Sequence, residues 1–473
     1  MGNSEKTGTA DASFKRTVLL IAVFASFLVP FLVSAINLAL PAMGREFGAN
    51  AISLGWVVTS AMLASTIFLM PFGRLGDIAG RRRIFLYGII FFTITSFLII
   101  FSHSMTSLII LRVLQGIASA MIYGTSLAIL TSVFPAGERG HAMGISVTST
   151  YFGLSAGPVI GGVLTELFGW RSIFVILVLI GLASVYLIVT RMKTEWAEAE
   201  GEKFDGKGSV IYGISLFGFI YGFSRLPATI GWICLFSGIL MSVIFVLFEK
   251  RIEHPVFDVR YFLKNRVLAF SGLAALINYS ATSAISFFIS LYLQYLKGLD
   301  AKTAGLIMIS QPVAMALLSP LAGKLSDRRN PGVIASAGMA LTAAGLVLLC
   351  LINGSTPNYL IVMMLILMGI GFGLFSSPNS NAIMSSVEKR YLGIASGIVG
   401  TMRMIGQMMS MGIAMMLISV FIGKQTINPD TYPGLLSSMR TGFIIFSALS
   451  VLGIFASIAR NPALADKTDS SSR

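Results

Sequence analysis

Charge is scarce in this chain. Charged residues make up 11% of its 473 positions, less than half of the roughly 25% usual in soluble domains, and the mean hydropathy is +0.84. That shortage excludes a soluble globular protein. Apolar runs of about 18 residues or more recur from end to end, each long enough to cross a ~30 Å hydrocarbon core as a helix. The chain therefore reads as an all-α polytopic membrane protein whose surroundings are a lipid bilayer. Acids are scarcer than bases, 20 Asp and Glu against 34 Lys and Arg, for a net charge of +14. In a soluble protein that excess would point to nucleic acid. In a membrane protein it collects in cytoplasmic loops and sets orientation, so no nucleic-acid partner is expected.

Other absences exclude chemistry. The two cysteines, Cys234 and Cys350, both lie in apolar runs, so no disulfide framework is expected. The three histidines (His103, His141 and His254) are scattered, with no acid or cysteine at metal-ligand spacing. No metal site and no catalytic cluster follow from them. A phosphate-cradling Gly-Lys-Ser loop is missing too, which argues against ATP as the energy source and against an enzyme; no cofactor is expected. The first apolar run is about 25 residues long, too long for a signal-peptide core, and reads as a first span.

What is present is a series of fourteen candidate spans, separated by Gly, Pro and charge. Of the 34 basic residues, 25 fall on the side of the termini, 7 on the other side, and Arg112 and Arg403 inside spans. The positive-inside rule then puts both termini in the cytoplasm, for a multi-pass protein of the cell (inner or plasma) membrane.

Two charged loops raise the next question. "GRLGDIAGRRR" (73–83) and "GKLSDRR" (323–329) align Gly73 with Gly323, Leu75 with Leu325 and Asp77 with Asp327, all 250 apart. "HAMGI" (141–145) and "IASGI" (394–398) align at an offset of 253. Two landmarks at nearly one offset imply a duplicated half, and the offset spans eight helices. The implied order is a tail (1–16), six spans (17–191), a linker (192–208), two inserted spans (209–249), a linker (250–265), six spans (266–460) and a tail (461–473). Duplicated halves with a site between them at mid-membrane are a transporter architecture.

These strings also carry a family resemblance. "GRLGDIAGRRRI" resembles the loop between the second and third helices of the major facilitator superfamily. "LRVLQGIASA" (111–120) resembles its fourth-helix motif, and "GLSAGPVIGG" (153–162) the fifth-helix motif of its antiporters. "FLVSAINLALP" (31–41) resembles the first-helix motif of the 14-span drug:proton antiporter branch. The resemblance implies a major-facilitator fold of two six-helix bundles plus two inserted central helices. By the same resemblance it implies alternating access, protons as the coupling ion and efflux of small amphipathic or hydrophobic compounds, as in multidrug transport.

The residues suggest how the motifs work. Gly73, Gly80 and Gly323 permit tight turns beside Asp77 and Asp327; pairing of Asp77 with Arg81–Arg83, or hydrogen bonds to it from a helix N-terminus in the same bundle, would hold an inner gate shut. Gly153, Gly157 and Gly161 recur every four residues, with Pro158 and Gly162 beside them. That small face is expected to close one bundle against the other. Arg112, deep in a span, must face protein or a wet cavity. Gln115 lies one turn on, and Arg403 with Gln407 raises the same question in the second half. Of the twenty acids only Glu166 approaches a span interior, and Leu32 stands where the resembled branch usually has Asp. Arg112, Gln115, Glu166 and Arg403 are thus the candidate polar coupling node. Polar or aromatic cavity candidates are Asn37, Tyr151, Asn278, Tyr292, Gln294, Gln311, Asn379 and Asn381. Lipophilic-cation efflux is weakened by the missing acid. A transporter of an anionic or neutral metabolite, or a transport-dead sensor on the same fold, are the alternatives.

Overall fold

The structure, a computed structural model, describes residues 2–252, 265–387 and 392–459, with the backbone alone for 2–13, 136–137, 139–141, 147, 224, 327 and 392–398. In the first half, α1 (Gly2–Phe47), α2 (Ala51–Ala79), α3 (Arg81–Ile100), α4 (Met105–Val133), α5 (Ala136–Phe168) and α6 (Arg171–Arg191) follow one another with short turns. Next come α7 (Gly206–Arg225) and α8 (Thr229–Glu249). The second half holds α9 (Arg266–Leu296), α10 (Ala301–Ser326), α11 (Pro331–Leu349), α12 (Asn358–Ser385), α13 (Leu392–Phe421) and α14 (Tyr432–Ala459). Thirteen helices among the described residues are long and apolar enough to cross a membrane. The fourteenth rod, α7, has 20 residues and is diluted by glycine and polar groups.

Local chemistry starts the helices. Asn50, Ser104, Asp205, Asn265, Asp300 and Asn330 each accept a hydrogen bond from a backbone N–H in the turn they cap, satisfying donors that would otherwise go unpaired. At Asp300 the Thr303 N–H, 2.6 Å away, holds the carboxyl below its ordinary pKa.

The helices pack in a pattern that repeats. α1 packs on α4, α5 and α6; α2 on α4; and α3 on α4 and α6. Eight helices later, α9 packs on α12, α13 and α14; α10 on α12; and α11 on α12 and α14. The fold is therefore all-α, two six-helix bundles of like packing, with α7 and α8 inserted between them in sequence. α7 and α8 meet along Gly218, Gly222, Gly231 and Gly238, where an added Cβ would lie 3.2 Å or less from the opposing backbone. α7 also rests on α2 and α13, one helix from each half.

Two segments depart from the sequence expectation. Helix α1 runs back from the first span through the expected tail to Gly2. The ninth span is not one helix: it stops at Thr282, restarts at Ile285 and ends in a π-helical turn, Tyr292–Leu296. Its break is held by Ser410 of α13, whose hydroxyl accepts from the Ala284 N–H at 2.9 Å. That tertiary contact replaces a helical hydrogen bond, so apolar periodicity alone does not reveal it.

Candidate functional site

The charged loop that opens α3 lies on the face of the molecule bearing most of the basic residues, here the basic face. Gly73 and Gly76 let α2 approach α4: a Cβ at Gly76 would sit 2.7 Å from Thr125, and Gly124 packs against the Gly73 backbone. Gly80 turns the chain at φ 110°, a conformation open to glycine. Arg81 is buried, and its Nε donates to Asp77 at 2.7 Å. Its remaining nitrogens donate to Ser132 at 2.7 Å and to both oxygens of Glu198 at 2.7 and 2.9 Å. Glu198 belongs to the 192–205 linker, which lies across the loop as an acidic strap. Glu195 accepts from the Arg82 N–H at 2.8 Å, Glu202 pairs with Arg74, and the Ala199 N–H donates to the Asp77 carbonyl at 2.9 Å. Of the two partners the sequence leaves open for Asp77, the structure has the neighbouring arginine; the strap is not among the sequence expectations. Four glutamates at 195, 198, 200 and 202 were its signal. In the second half Gly323 packs against Ser377 of α12, and the Asp327 side chain lies outside the described residues.

The small-residue face of α5 does something other than expected. A Cβ at Gly153 would sit 2.8 Å from the Phe27 carbonyl, at Gly157 2.5 Å from Ser34, and at Gly161 2.6 Å from Ala35. All three contacts are with α1, in the same bundle. The neighbouring stripe makes the contact between bundles: Gly305 faces the Pro158 carbonyl and Gly162 faces the Ala301 carbonyl, both between α5 and α10. At about 100° per residue, positions 158 and 162 point a quarter-turn or so away from 157 and 161. The motif thus has two faces, one within a bundle and one across.

Other contacts across the halves gather near the same end, opposite the basic face. The Ala301 N–H donates to Glu166 at 3.4 Å. Ser290 donates to the Asn37 carbonyl at 2.5 Å, and Gln294 donates to the Leu38 carbonyl at 3.2 Å. Met415 of α13 lies against Gly55 and accepts from Thr59 at 3.3 Å. The buried methionines of α13, Met404, Met408, Met411 and Met415, recur at helical spacing. Met408 packs with Leu63 of α2 and Ile220 of α7, so this surface faces protein and not lipid.

Arg112, Gln115, Glu166 and Arg403 do not form one cluster. Arg112 is 2% exposed within the first bundle, where it donates to the Val57 carbonyl at 3.0 Å and to Gln115 at 2.5 Å. Gln115 in turn donates to Ser96 at 2.8 Å, so this pair staples α4 to α2 and α3. Glu166 sits in the seal between α5 and α10. Arg403 stands apart, in reach of a hydrogen bond to Tyr279 and close to Tyr123 and Tyr151. Tyr151 meets Ser376 at 3.5 Å. Tyr279, Tyr123 and Ser376 were not picked out from the sequence; a tyrosine in an apolar run carries no mark of what it faces.

The other cavity candidates divide. Tyr292 donates to the Asn353 carbonyl at 2.7 Å and is anchored to a loop. Asn379 donates to the Ser271 carbonyl at 3.2 Å, and Asn381 to Ser326 at 2.9 Å, both between helices of the second half. Gln311 is half-buried on α10. Asn278 is fully buried, and neither amide atom has a hydrogen-bond partner among the described residues. An unpaired buried amide costs about 1–3 kcal/mol, so Asn278→Leu is expected to raise the thermal unfolding midpoint in detergent. A lower midpoint would mean that the amide is satisfied.

The sequence profile of the Major Facilitator Superfamily matches residues 22–411 and, again, 271–472. The chain belongs to that superfamily. Two of its relatives are 32% identical. One is the riboflavin transporter RibZ of Clostridioides difficile (strain 630), over 392 residues, 82% of this chain and 85% of RibZ. Another is the cephamycin export protein CmcT of Amycolatopsis lactamdurans, over 430 residues, 88% of this chain and 87% of CmcT. The multidrug resistance protein Stp of Mycobacterium tuberculosis (strain CDC 1551 / Oshkosh) is 29% identical over 394 residues, 82% of this chain and 72% of Stp. Major-facilitator proteins are transporters and not enzymes, and this chain is accordingly a multi-pass membrane transporter of small molecules.

Proposed function

We propose that this major-facilitator protein exports small amphipathic organic compounds across the cell membrane by alternating access, driven by proton antiport, with both termini cytoplasmic. The observation that carries the reading is the clustering of cross-bundle contacts at one end, around Pro158–Gly305, Gly162–Ala301 and Thr59–Met415. The loop of Asp77 and Arg81 lies at the other end. With the basic face cytoplasmic, the external gate is shut in this structure. Bundles 17–191 and 266–460 rock about the methionine-faced seam of α2, α7 and α13. Methionine suits such a seam, since its flexible side chain keeps contact as surfaces shift. Export-protein relatives add support for the direction, and the riboflavin transporter widens the range of cargo. Arg403, near tyrosines from both halves, favours the second reading, an anionic or neutral cargo, over lipophilic cations.

Asp77 is placed at the inner gate by this proposal as an anchor of the loop within the first bundle. Its bond to Arg81 is intact with the external seal closed, so, against the sequence expectation, it is not the bond that holds the inner gate shut. Asp77→Asn removes a charge-assisted bond to Arg81 while leaving the Glu198 fork on Arg81 in place. The variant is expected to fold and to lose transport in proteoliposomes with an imposed pH gradient. The panel should hold cationic, neutral and anionic fluorophores. Wild-type turnover in the variant would remove Asp77 from the gate, and wild-type transport without the gradient would remove the proton.

A further inference from the structure

A cation at mid-membrane depth needs a counter-charge or a wet, polar surround. Arg403 begins its fourth turn on α13, about 17 Å along the helix from Leu392 at 1.5 Å per residue. The parts 105–133, 139–165, 266–296, 358–385 and 392–421 of the surrounding helices contain no Asp or Glu; the two acids of α5, Glu138 and Glu166, lie in its first and last turns. Tyrosines surround it instead. Tyr279 of α9 is within hydrogen-bonding reach, and Tyr123 of α4 and Tyr151 of α5 are close enough to act on its charge. Tyr151 reaches Ser376 of α12 at 3.5 Å, and Phe372 stands edge-on to Tyr279 with ring centroids 5.3 Å apart. Both halves contribute, Tyr123 and Tyr151 from the first and the rest from the second. All five polar members are partly exposed although they sit inside the bundle pair, so they line an interior space. Gly406, one turn from Arg403, lets α13 close on the Leu276 carbonyl and the Tyr279 Cβ, which fixes the tyrosine beside the arginine.

We propose that Arg403, Tyr279, Tyr123 and Tyr151 form a binding site for a planar aromatic compound bearing an anionic oxygen, such as a carboxylate or phenolate. The guanidinium offers a planar fork of donors to the oxygen, and the tyrosine rings offer faces and edges to the aromatic plane. The ligand supplies the counter-charge that these stretches lack, and a cationic ligand of the same shape meets like charge. Because both halves touch the ligand, its binding is coupled to their relative position. The proposal gives the cargo class of the transporter proposed above and rests on that reading for its purpose, but binding can be measured without transport.

The test is fluorescence polarisation with the purified full-length protein in detergent. Fluorescein is the planar aromatic anion and ethidium the planar aromatic cation. Fluorescein is expected to bind saturably and more tightly than ethidium. Arg403→Gln should weaken it about 10- to 100-fold, the range for losing a hydrogen bond to a charged group. Arg403→Lys should retain part of the affinity, and Tyr279→Phe should weaken fluorescein by a smaller factor. Ethidium affinity should not fall in Arg403→Gln. If Arg403→Gln fails to fold, Arg403→Lys and Tyr279→Phe carry the test. Absence of saturable fluorescein binding, tighter ethidium binding, or unchanged fluorescein affinity in the folded variants would overturn the site. In proteoliposomes, Arg403-dependent fluorescein binding without gradient-driven movement would overturn the transporter reading and keep the site. Gradient-driven fluorescein movement that is undiminished in Arg403→Gln would do the reverse.

Discussion

Replacing Gly116 by valine is expected to abolish accumulation of folded protein. A Cβ at that position would lie 2.2 Å from the Ala61 carbonyl oxygen, with the Ala61 Cα and carbonyl carbon both at 2.9 Å. These are backbone atoms of α2 and cannot rotate aside. Overpacking that side chains can absorb costs about 1–3 kcal/mol; here α2 and α4 must separate along their length. The same turns hold the Arg112–Gln115–Ser96 chain of hydrogen bonds, which separation would break, leaving a buried cation unpaired. The combined loss is comparable with a total stability of about 5–15 kcal/mol. The measurement is the monodisperse fraction after detergent extraction. A yield equal to wild type would show that α2 and α4 are not packed through Gly116.

Gly305→Val is expected to give the opposite division: normal folded yield and transport reduced about 100-fold or more, as for a two-state balance displaced by several kcal/mol. The local geometry is almost the same, a Cβ 2.1 Å from the Pro158 carbonyl oxygen. The difference lies in what the two backbones belong to. Gly116 and Ala61 are both in the first bundle, whereas Gly305 and Pro158 are in different bundles. Under alternating access, that contact opens and closes during each cycle. Valine forbids the sealed state and leaves the open one untouched, so the bundles fold and the cycle stalls. The readout is maleimide labelling of Thr59→Cys in a Cys234→Ser, Cys350→Ser background. Thr59 is fully buried against Met415 in the seal. Labelling should increase when Gly305→Val is added. Unchanged labelling together with wild-type transport would show that the α5–α10 contact does not move.

The contrast between those two glycines also separates what was legible from what was not. Both sit in apolar runs, and nothing adjacent in sequence tells which helix each one meets. Gly153, Gly157 and Gly161 teach the same lesson. Their spacing defines a stripe, and a stripe of this kind is expected to be the surface between bundles, but it packs on α1. Pro158 and Gly162, one step round the helix, make the cross-bundle contact. Helical periodicity sets which residues share a face and leaves open what the face meets.

The site shows this limit most sharply. Arg112 and Arg403 stood out in sequence alike, as cations inside apolar runs. The first is enclosed by backbone and amide acceptors, the second by tyrosines from both halves. Only the tertiary structure tells a staple from a candidate binding group. The acidic strap over Arg81 and the break in α9 held by Ser410 belong to the same class, since each joins residues far apart in the chain.

The sequence by itself determined the membrane setting, the all-helical fold and the superfamily. These rest on composition, on runs long enough to span a bilayer and on motifs confined to one loop or one helix, all local in the chain. The tertiary structure alone decided which small faces meet within a bundle and which across, where the seal lies, and what surrounds each buried arginine. Those depend on helix rotation and on contacts between distant segments, and a helix presents every side of itself to the sequence equally.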